Sequence, residues 1–167
     1  LLMQGKMEGA ARMFERASAI NPDDYQAPCL LISVYRSLGR ERESENAARR
    51  GIALAERAMQ LNPDDPRPAH LGISALIFLG EHERAREWMN RALAIDPDDP
   101  TTLYNVACGY SNLGELDRAL DLLQRLIPLG GPGWFDWIEH DSDLDPLRNQ
   151  PRYAALREMM KDAQTTL

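Results

Sequence analysis

The feature that most restricts this chain is a set of spacings used four times along its 167 residues. Gly80, Ala85, Ala92 and Pro97 stand at offsets 0, 5, 12 and 17, and Gly5, Ala10, Ala17 and Pro22 repeat those offsets. Gly51, Ala58 and Pro63 match the last three. Gly114, Ala119, Leu126 and Gly131 keep the frame, with Leu and Gly in place of the second Ala and the Pro. Residues seven apart lie almost in line on one face of a helix, so Ala85 and Ala92 let a neighbouring helix approach closely. Trp88, Met89 and Ile95 fill the flanks of that stripe, the intervening Glu and Arg residues suit a solvated back, and Asp96-Pro97 stops the helix.

The period identifies the kind of unit. Pro97 follows Pro63 by 34 residues and Gly114 follows Gly80 by the same interval, which is the mark of a solenoid built from helix pairs. A Leu-Gly turn, paired small residues in the second helix and a closing Pro resemble the tetratricopeptide repeat. Leu103-Tyr104-Asn105-Val106-Ala107, with Tyr110 three on, is close to the Trp, Leu, Gly and Tyr pattern of that family's first helix. The resemblance covers roughly residues 1 to 131 and implies an all-α fold, a right-handed α-α superhelix of antiparallel helix pairs with a C-terminal capping helix. The spacings divide the chain into a partial first repeat (1–24), an extended second (25–65), a third (66–99), a fourth (100–131), and a C-terminal truncated repeat with its capping helix (132–167).

Departures from the frame are informative. The second repeat is seven residues longer, the excess falling in the charge-alternating run Arg40 to Arg50, and seven residues add about two turns without changing the facing of Ile52, Ala55, Ala58 and Met59. That run is expected to be a solvated extension held by Glu and Arg pairs across one turn. In the third repeat, Gly72 lies eight residues before Gly80 where the family places its Gly seven before, which leaves the register of that first helix open by one residue. Leu1 is not an initiator Met, and Leu1 to Gly5 aligns only with the end of a first helix, so a longer polypeptide is expected upstream. The segments Asn21 to Asp24, Asn62 to Pro66 and Asp96 to Pro100 each place a Pro stop before an Asp cap.

After Gly131 the pattern changes. Gly130-Gly131-Pro132-Gly133 permits a change of direction, and Trp134 to Ile138, with Trp137 34 residues after Leu103, is expected to be the start of a fifth first helix that Asp141 to Pro146 interrupts. The aromatic group Trp134, Phe135 and Trp137 reads either as core or as a ligand platform. A last helix is expected from Pro151 to about Ala163, with Tyr153, Leu156 and Met160 on one face. Asp143 to Arg148 and Pro151 to Tyr153 resemble the ends of tetratricopeptide segments in bacterial class III adenylate and guanylate cyclases and related multidomain signalling regulators. That resemblance implies a catalytic or DNA-binding domain upstream of Leu1.

Little in the sequence suggests chemistry. A net charge of −7 and the lack of a basic cluster clear of acids argue against nucleic acid as a partner. No apolar run approaches the roughly 20 residues that span a bilayer, and the first residues lack the charged start and apolar stretch of a signal peptide, so none is expected here. Cys29 and Cys108 belong to non-adjacent repeats and are expected to be reduced, buried thiols of a cytoplasmic protein. Asp141, Asp143 and Asp145 have the spacing that opens a calcium loop, but Pro146 and Arg152 stand where that loop needs Gly and Glu. His70, His82 and His140 have no partner at a zinc spacing, and no phosphate loop or nucleophile elbow is present. No catalytic residue, metal or cofactor is therefore expected.

What remains is the groove that the family resemblance implies, lined by the first helices and suited to a peptide or partner helix. Carried over by register, its facing positions are Gln26, Cys29, Ser33, Arg36 and Ser37 in the second repeat and Thr101, Tyr104, Cys108, Ser111 and Asn112 in the fourth. In the third they are Arg67, His70, Ser74, Ile77 and Phe78. The Lys and Asn with which part of the family clamps a C-terminal carboxylate are replaced here by Cys29 and Ser33, His70 and Ser74, Tyr104 and Cys108. The expected function is a protein-interaction or regulatory scaffold. The rival is a self-association module, a homo-oligomer that assembles the upstream domain.

Overall fold

A computed structural model describes residues 2–165, in which every regular element is helical. In chain order these are α1 (Leu2–Ile20), α2 (Gln26–Ser37), α3 (Glu41–Leu61), α4 (Arg67–Phe78), α5 (His82–Ile95), α6 (Pro100–Asn112), α7 (Leu116–Leu126), α8 (Pro132–His140), a 3-10 helix (Ser142–Leu147) and α9 (Pro151–Thr165). No strand occurs among the described residues.

Three helix pairs turn on the same device. Gly39, Gly80 and Gly114 have φ of 69°, 76° and 76°, the left-handed region that a side chain disfavours. Each lets the next N–H reach back six-to-one: Arg40 to the Tyr35 carbonyl at 2.9 Å, Glu81 to Leu76 at 2.8 Å, Glu115 to Tyr110 at 2.9 Å. This is the Schellman closure of a helix, and it reverses the chain in two or three residues. The turns between pairs are closed by the acidic caps that the sequence announces. Asp99 Oδ2 accepts the Thr102 N–H at 2.7 Å, Asp65 Oδ1 that of Arg67 at 3.0 Å, and Asp24 Oδ1 that of Gln26 at 3.2 Å. A second tie has no counterpart in the sequence reading. Arg50 donates to the Pro22 carbonyl at 3.1 Å and Arg125, the same 28 residues on, to the Pro97 carbonyl at 2.6 Å.

The chain divides into two compact units, one ending at Trp88 and the other beginning at Met89, within α5. In the first, α1, α2, α3 and α4 pack in sequence around Ala11, Ile32, Ala48, Ala55, Ala69 and Leu76. Arg40 sits at its hub: its guanidinium lies 4.4 Å from the Tyr35 ring centroid and pairs with Glu15 of α1 at 3.3 Å and with Glu43 of α3, while the Tyr35 hydroxyl donates to Glu15 at 2.9 Å. In the second unit, α6 and α7 form a pair against which the 3-10 helix and α9 close, with Leu103, Val106, Leu123, Leu126, Ile138, Leu144 and Leu147 as its core. Tyr153, Leu156 and Met160 of α9 are buried, as their spacing led us to expect.

Three local expectations change. The run Arg40 to Arg50 does form part of a longer helix, and Arg49 pairs with Glu45 at 2.6 Å. It is not free in solvent, because Ser44, Ala47 and Ala48 are buried and Ser44 Oγ donates to the Ile32 carbonyl of α2 at 2.7 Å. Gly51 already faces Cys29 and Pro28 at the start of α2, so the overhang is the other end of α3, where Leu61 is 71% exposed. Secondly, α8 holds the whole aromatic group but divides it, Phe135 and Ile138 being core while Trp137 is 63% exposed. Thirdly, Gly72 takes its place for a packing reason: a Cβ there would lie 2.2 Å from Cζ3 of Trp88. The positions eight before and eight after each turn glycine, Leu31 and Ala47, Gly72 and Trp88, Val106 and Leu122, are all buried.

Two glycine substitutions separate backbone from packing effects. Gly80→Ala forces a side chain into φ 76° and should cost about 1 kcal/mol of unfolding free energy in a urea titration. Gly72→Ala meets the Trp88 ring and should cost about 1–3 kcal/mol, a loss that shrinks when Trp88 is made Leu. A neutral Gly72→Ala would contradict the packing.

Candidate functional site

The groove positions inferred from the family fall into two groups with opposite environments. On α2, Gln26, Ser33, Arg36 and Ser37 are exposed, and on α4 so is Ser74. These helices lie side by side in the first unit, and the Arg36 guanidinium reaches from α2 to within 5.5 Å of the Phe78 ring centroid on α4. Ser37 Oγ donates to the Ser33 carbonyl at 2.9 Å and Ser33 Oγ to that of Leu30 at 3.3 Å, so both hydroxyls lie against their own helix. Cys29 and His70 are buried, the latter 3% exposed, and are not available to a ligand. Leu30, absent from the sequence-derived set, is 42% exposed and aligns with Gln26, Ser33 and Ser37 at intervals of four, three and four. The signal was there: a leucine one residue past a groove position, on a face otherwise polar.

In the second unit Tyr104, Cys108 and Ser111 are buried and only Thr101 and Asn112 are exposed. The expectation of three solvent-facing groove side chains on α6 is therefore corrected. The physical reason is the segment after α8, which packs on this helix: the Tyr104 hydroxyl donates to Asp141 Oδ2, while Asp141 Oδ1 accepts the Asp143 N–H at 2.9 Å and so caps the 3-10 helix. Burial, the neighbouring Cys108 and the bond to Asp141 all push the Tyr104 hydroxyl pKa upward. Burial and then the charges of Asp141 and Asp143 raise the Cys108 thiol well above its ordinary range. On α2, burial pushes Cys29 up to about 12.

Cys108, Asp141 and Asp143 bring one ligand atom each within 4.8 Å of one another, the nearest approach to a metal-ligand set among the described residues. Both Asp141 oxygens are already engaged in closing the C-terminal segment, and Asp145 pairs with Arg148 at 2.7 Å. The arrangement is that of a helix cap on a buried tyrosine. Both cysteines are free and protonated, which suits packing rather than nucleophilic attack.

Residues 44–107 match the family model described as Tetratricopeptide repeat. Among solved structures, one described as "MamA RS-1 ArsTM double mutant" aligns with TM-score 0.50 at 13% identity, over 99% of this chain and 89% of that one. "Crystal structure of MamA" aligns with TM-score 0.45 at 16% identity over 98% and 87%, and "MamA MSR-1 C2" with 0.43 at 20% over 77% and 70%. A comparison with curated proteins gives no match. At these identities the structures speak to fold alone. The described residues form an all-α fold of helix pairs, and residues 44–107 of it match the tetratricopeptide repeat.

The thiols give a direct check of these environments. Cys29 and Cys108 should resist a thiol reagent in the folded protein at mildly alkaline pH and react at once in concentrated guanidinium chloride. The native state holds the Cys29 proton from the ordinary 9.0 up to about 12, so it binds more protons than the unfolded chain in that window. This contribution to stability is complete below the ordinary value and is lost as pH climbs through the window. The urea midpoint should fall accordingly, and the fall should be reduced in Cys29→Ala.

Proposed function

We propose that this chain is a protein-interaction scaffold without chemistry of its own, which holds a peptide or a partner helix against the α2 and α4 face. The observation that carries the reading is the exposed row Gln26, Leu30, Ser33 and Ser37 with Arg36 laid across to Phe78. It joins two neighbouring first helices and mixes one apolar anchor, one cation and several small polar groups, the composition a peptide face needs. Ser74 extends it onto α4. On α6, in the second unit, Thr101 and Asn112 are the exposed groove positions, while Tyr104, Cys108 and Ser111 there, and His70 of α4, are buried.

A place in a bacterial cytoplasmic signalling polypeptide, with a catalytic or DNA-binding domain upstream, is part of the same proposal. It rests on the sequence of Asp143 to Arg148 and Pro151 to Tyr153. Self-association is a second reading that one observation favours: Met13 and Ile20, seven apart on one face of α1, are each 74% exposed.

The test is capture of partners from the native host by the tagged protein, compared with a Leu30→Ser, Arg36→Glu variant. Loss of a specific partner by more than about tenfold, with unchanged helicity, is expected. Equal capture by both proteins overturns the α2 and α4 face. A dimer in light scattering that Ile20→Asp dissolves, with no partner captured, would establish the self-association reading instead.

A further inference from the structure

The second unit carries a surface that the scaffold reading does not use. Between α6 and α8 lies a cleft of about 400 Å³ walled by Tyr104, Trp134 and Trp137, with Thr101 and Asn105 on the α6 side. The Tyr104 and Trp134 rings meet at 5.3 Å and 50°, and Gly130 backs the indole, where a Cβ would come within 3.0 Å of Trp134 Cδ1. Gly131 and Gly133 also line the cleft, and a Cβ on either would meet nothing within 4 Å. The aromatic walls are thus fixed from behind and open in front. Trp137 is a large apolar side chain 63% exposed on a helix whose Phe135 and Ile138 are core, so packing does not account for it.

The lining of this cleft carries no charge, and the hollow beside it is acidic. A second hollow, of about 490 Å³, shares Gly133 and Trp137 with the first and is lined by Asp136, His140, Asp141 and Ser142. From Leu126 to Leu147 the chain has Asp136, Glu139, Asp141, Asp143 and Asp145 and no Lys or Arg. The cations that approach from α9 and its preceding turn are committed elsewhere: Arg157 to Glu139 at 2.7 Å, and Arg148 to Asp145 at 2.7 Å and to the Asp141 backbone carbonyl at 3.0 Å. The Asp141 carboxylate is held by the Tyr104 hydroxyl and the Asp143 N–H. Asp136, next to Trp137 and exposed, forms no ion pair with a described lysine or arginine.

We propose that this cleft receives a cationic side chain, an arginine or lysine, from an extended segment of a partner protein. Aromatic faces attract a cation through their quadrupole, and a guanidinium lying flat on an indole leaves its edge free to bond a carboxylate. Trp137 and Trp134 supply the faces, Asp136, in the adjoining hollow that shares Trp137, supplies the carboxylate, and the cleft supplies the volume for the alkyl stem and one flanking apolar residue. The inference rests on the scaffold reading in one respect, that the ligand is a protein segment, but it concerns a different surface.

A random heptapeptide library selected on the whole chain tests it, with Trp137→Ala and Asp136→Asn proteins as counter-selection. Both positions are exposed, and helicity by circular dichroism checks each fold. The expected result is a set of peptides that Trp137→Ala no longer binds and that share an arginine or lysine. Replacing that arginine by citrulline, which keeps the shape and removes the charge, should weaken binding by about tenfold or more, as should Asp136→Asn. Trp137-dependent peptides without a basic residue, or binding indifferent to citrulline, overturn the proposal. So does a dimer that Trp137→Ala dissolves, which would make the cleft a seat for a second copy. Peptides that ignore Trp137→Ala but are lost in Leu30→Ser, Arg36→Glu would overturn the cleft and leave the scaffold reading standing.

Discussion

The bond from the residue after each left-handed glycine to the carbonyl five residues back is what the other features depend on. It ends one helix and starts the next within two or three residues, so Tyr35 and Arg40, Leu76 and Glu81, Tyr110 and Glu115 meet in the same geometry at three turns. With the hairpin so constrained, facing positions are set by distance from the glycine. That is why the residues eight before and eight after Gly80 meet, Gly72 admitting the Trp88 ring. Arginines then fasten the turns from outside: Arg118 stacks at 4.1 Å over the Tyr110 ring and pairs with Glu115, as Arg84 pairs with Glu81 and Glu56. Such exposed pairs add little stability singly and serve mainly to fix orientation.

Two helices with the same place in the repeat have different fates. Helix α2 keeps a polar outer row with Leu30 and Arg36 on it, whereas α6 gives Tyr104, Cys108 and Ser111 to an interior closed by residues 141 to 147. Closing it satisfies the Tyr104 hydroxyl with a carboxylate that is itself capping a helix, so one aspartate serves both ends of the contact. Of the first-helix positions, the exposed ones therefore lie mainly on α2 and α4, and in the second unit the exposed large aromatic side chain is Trp137 of α8, next to Asp136.

The helix pairs were legible because their signals are local. The Leu-Gly turns and the acidic caps act over one or two turns, and those at Gly39, Gly80 and Gly114 lie where the spacing puts them, whereas α1 runs unbroken through Gly5, where the spacing put the end of a first helix, and Ala17 is exposed. Burial of the α6 face was not legible, because the contact from Tyr104 to Asp141 spans 37 residues and nothing near Tyr104 announces it. The long α3 was read correctly as a helix, but which end overhangs depends on where α2 begins, and the bond from Ser44 to Ile32 decides that. The helix that carries Trp137 was legible from its interval to Leu103 and from the Gly-Pro run before it, whereas the exposure of Trp137 was not.

The central claim is that partners meet this protein on the α2 and α4 face. The most direct measurement is site-specific photocrosslinking in a lysate of the native host, with benzoylphenylalanine placed singly at Ser33, at Ser74 and at the exposed Arg49 of α3. A common adduct from Ser33 and Ser74 that is absent from Arg49 is the expected result. An adduct of equal yield from Arg49, or from Arg49 alone, would contradict it.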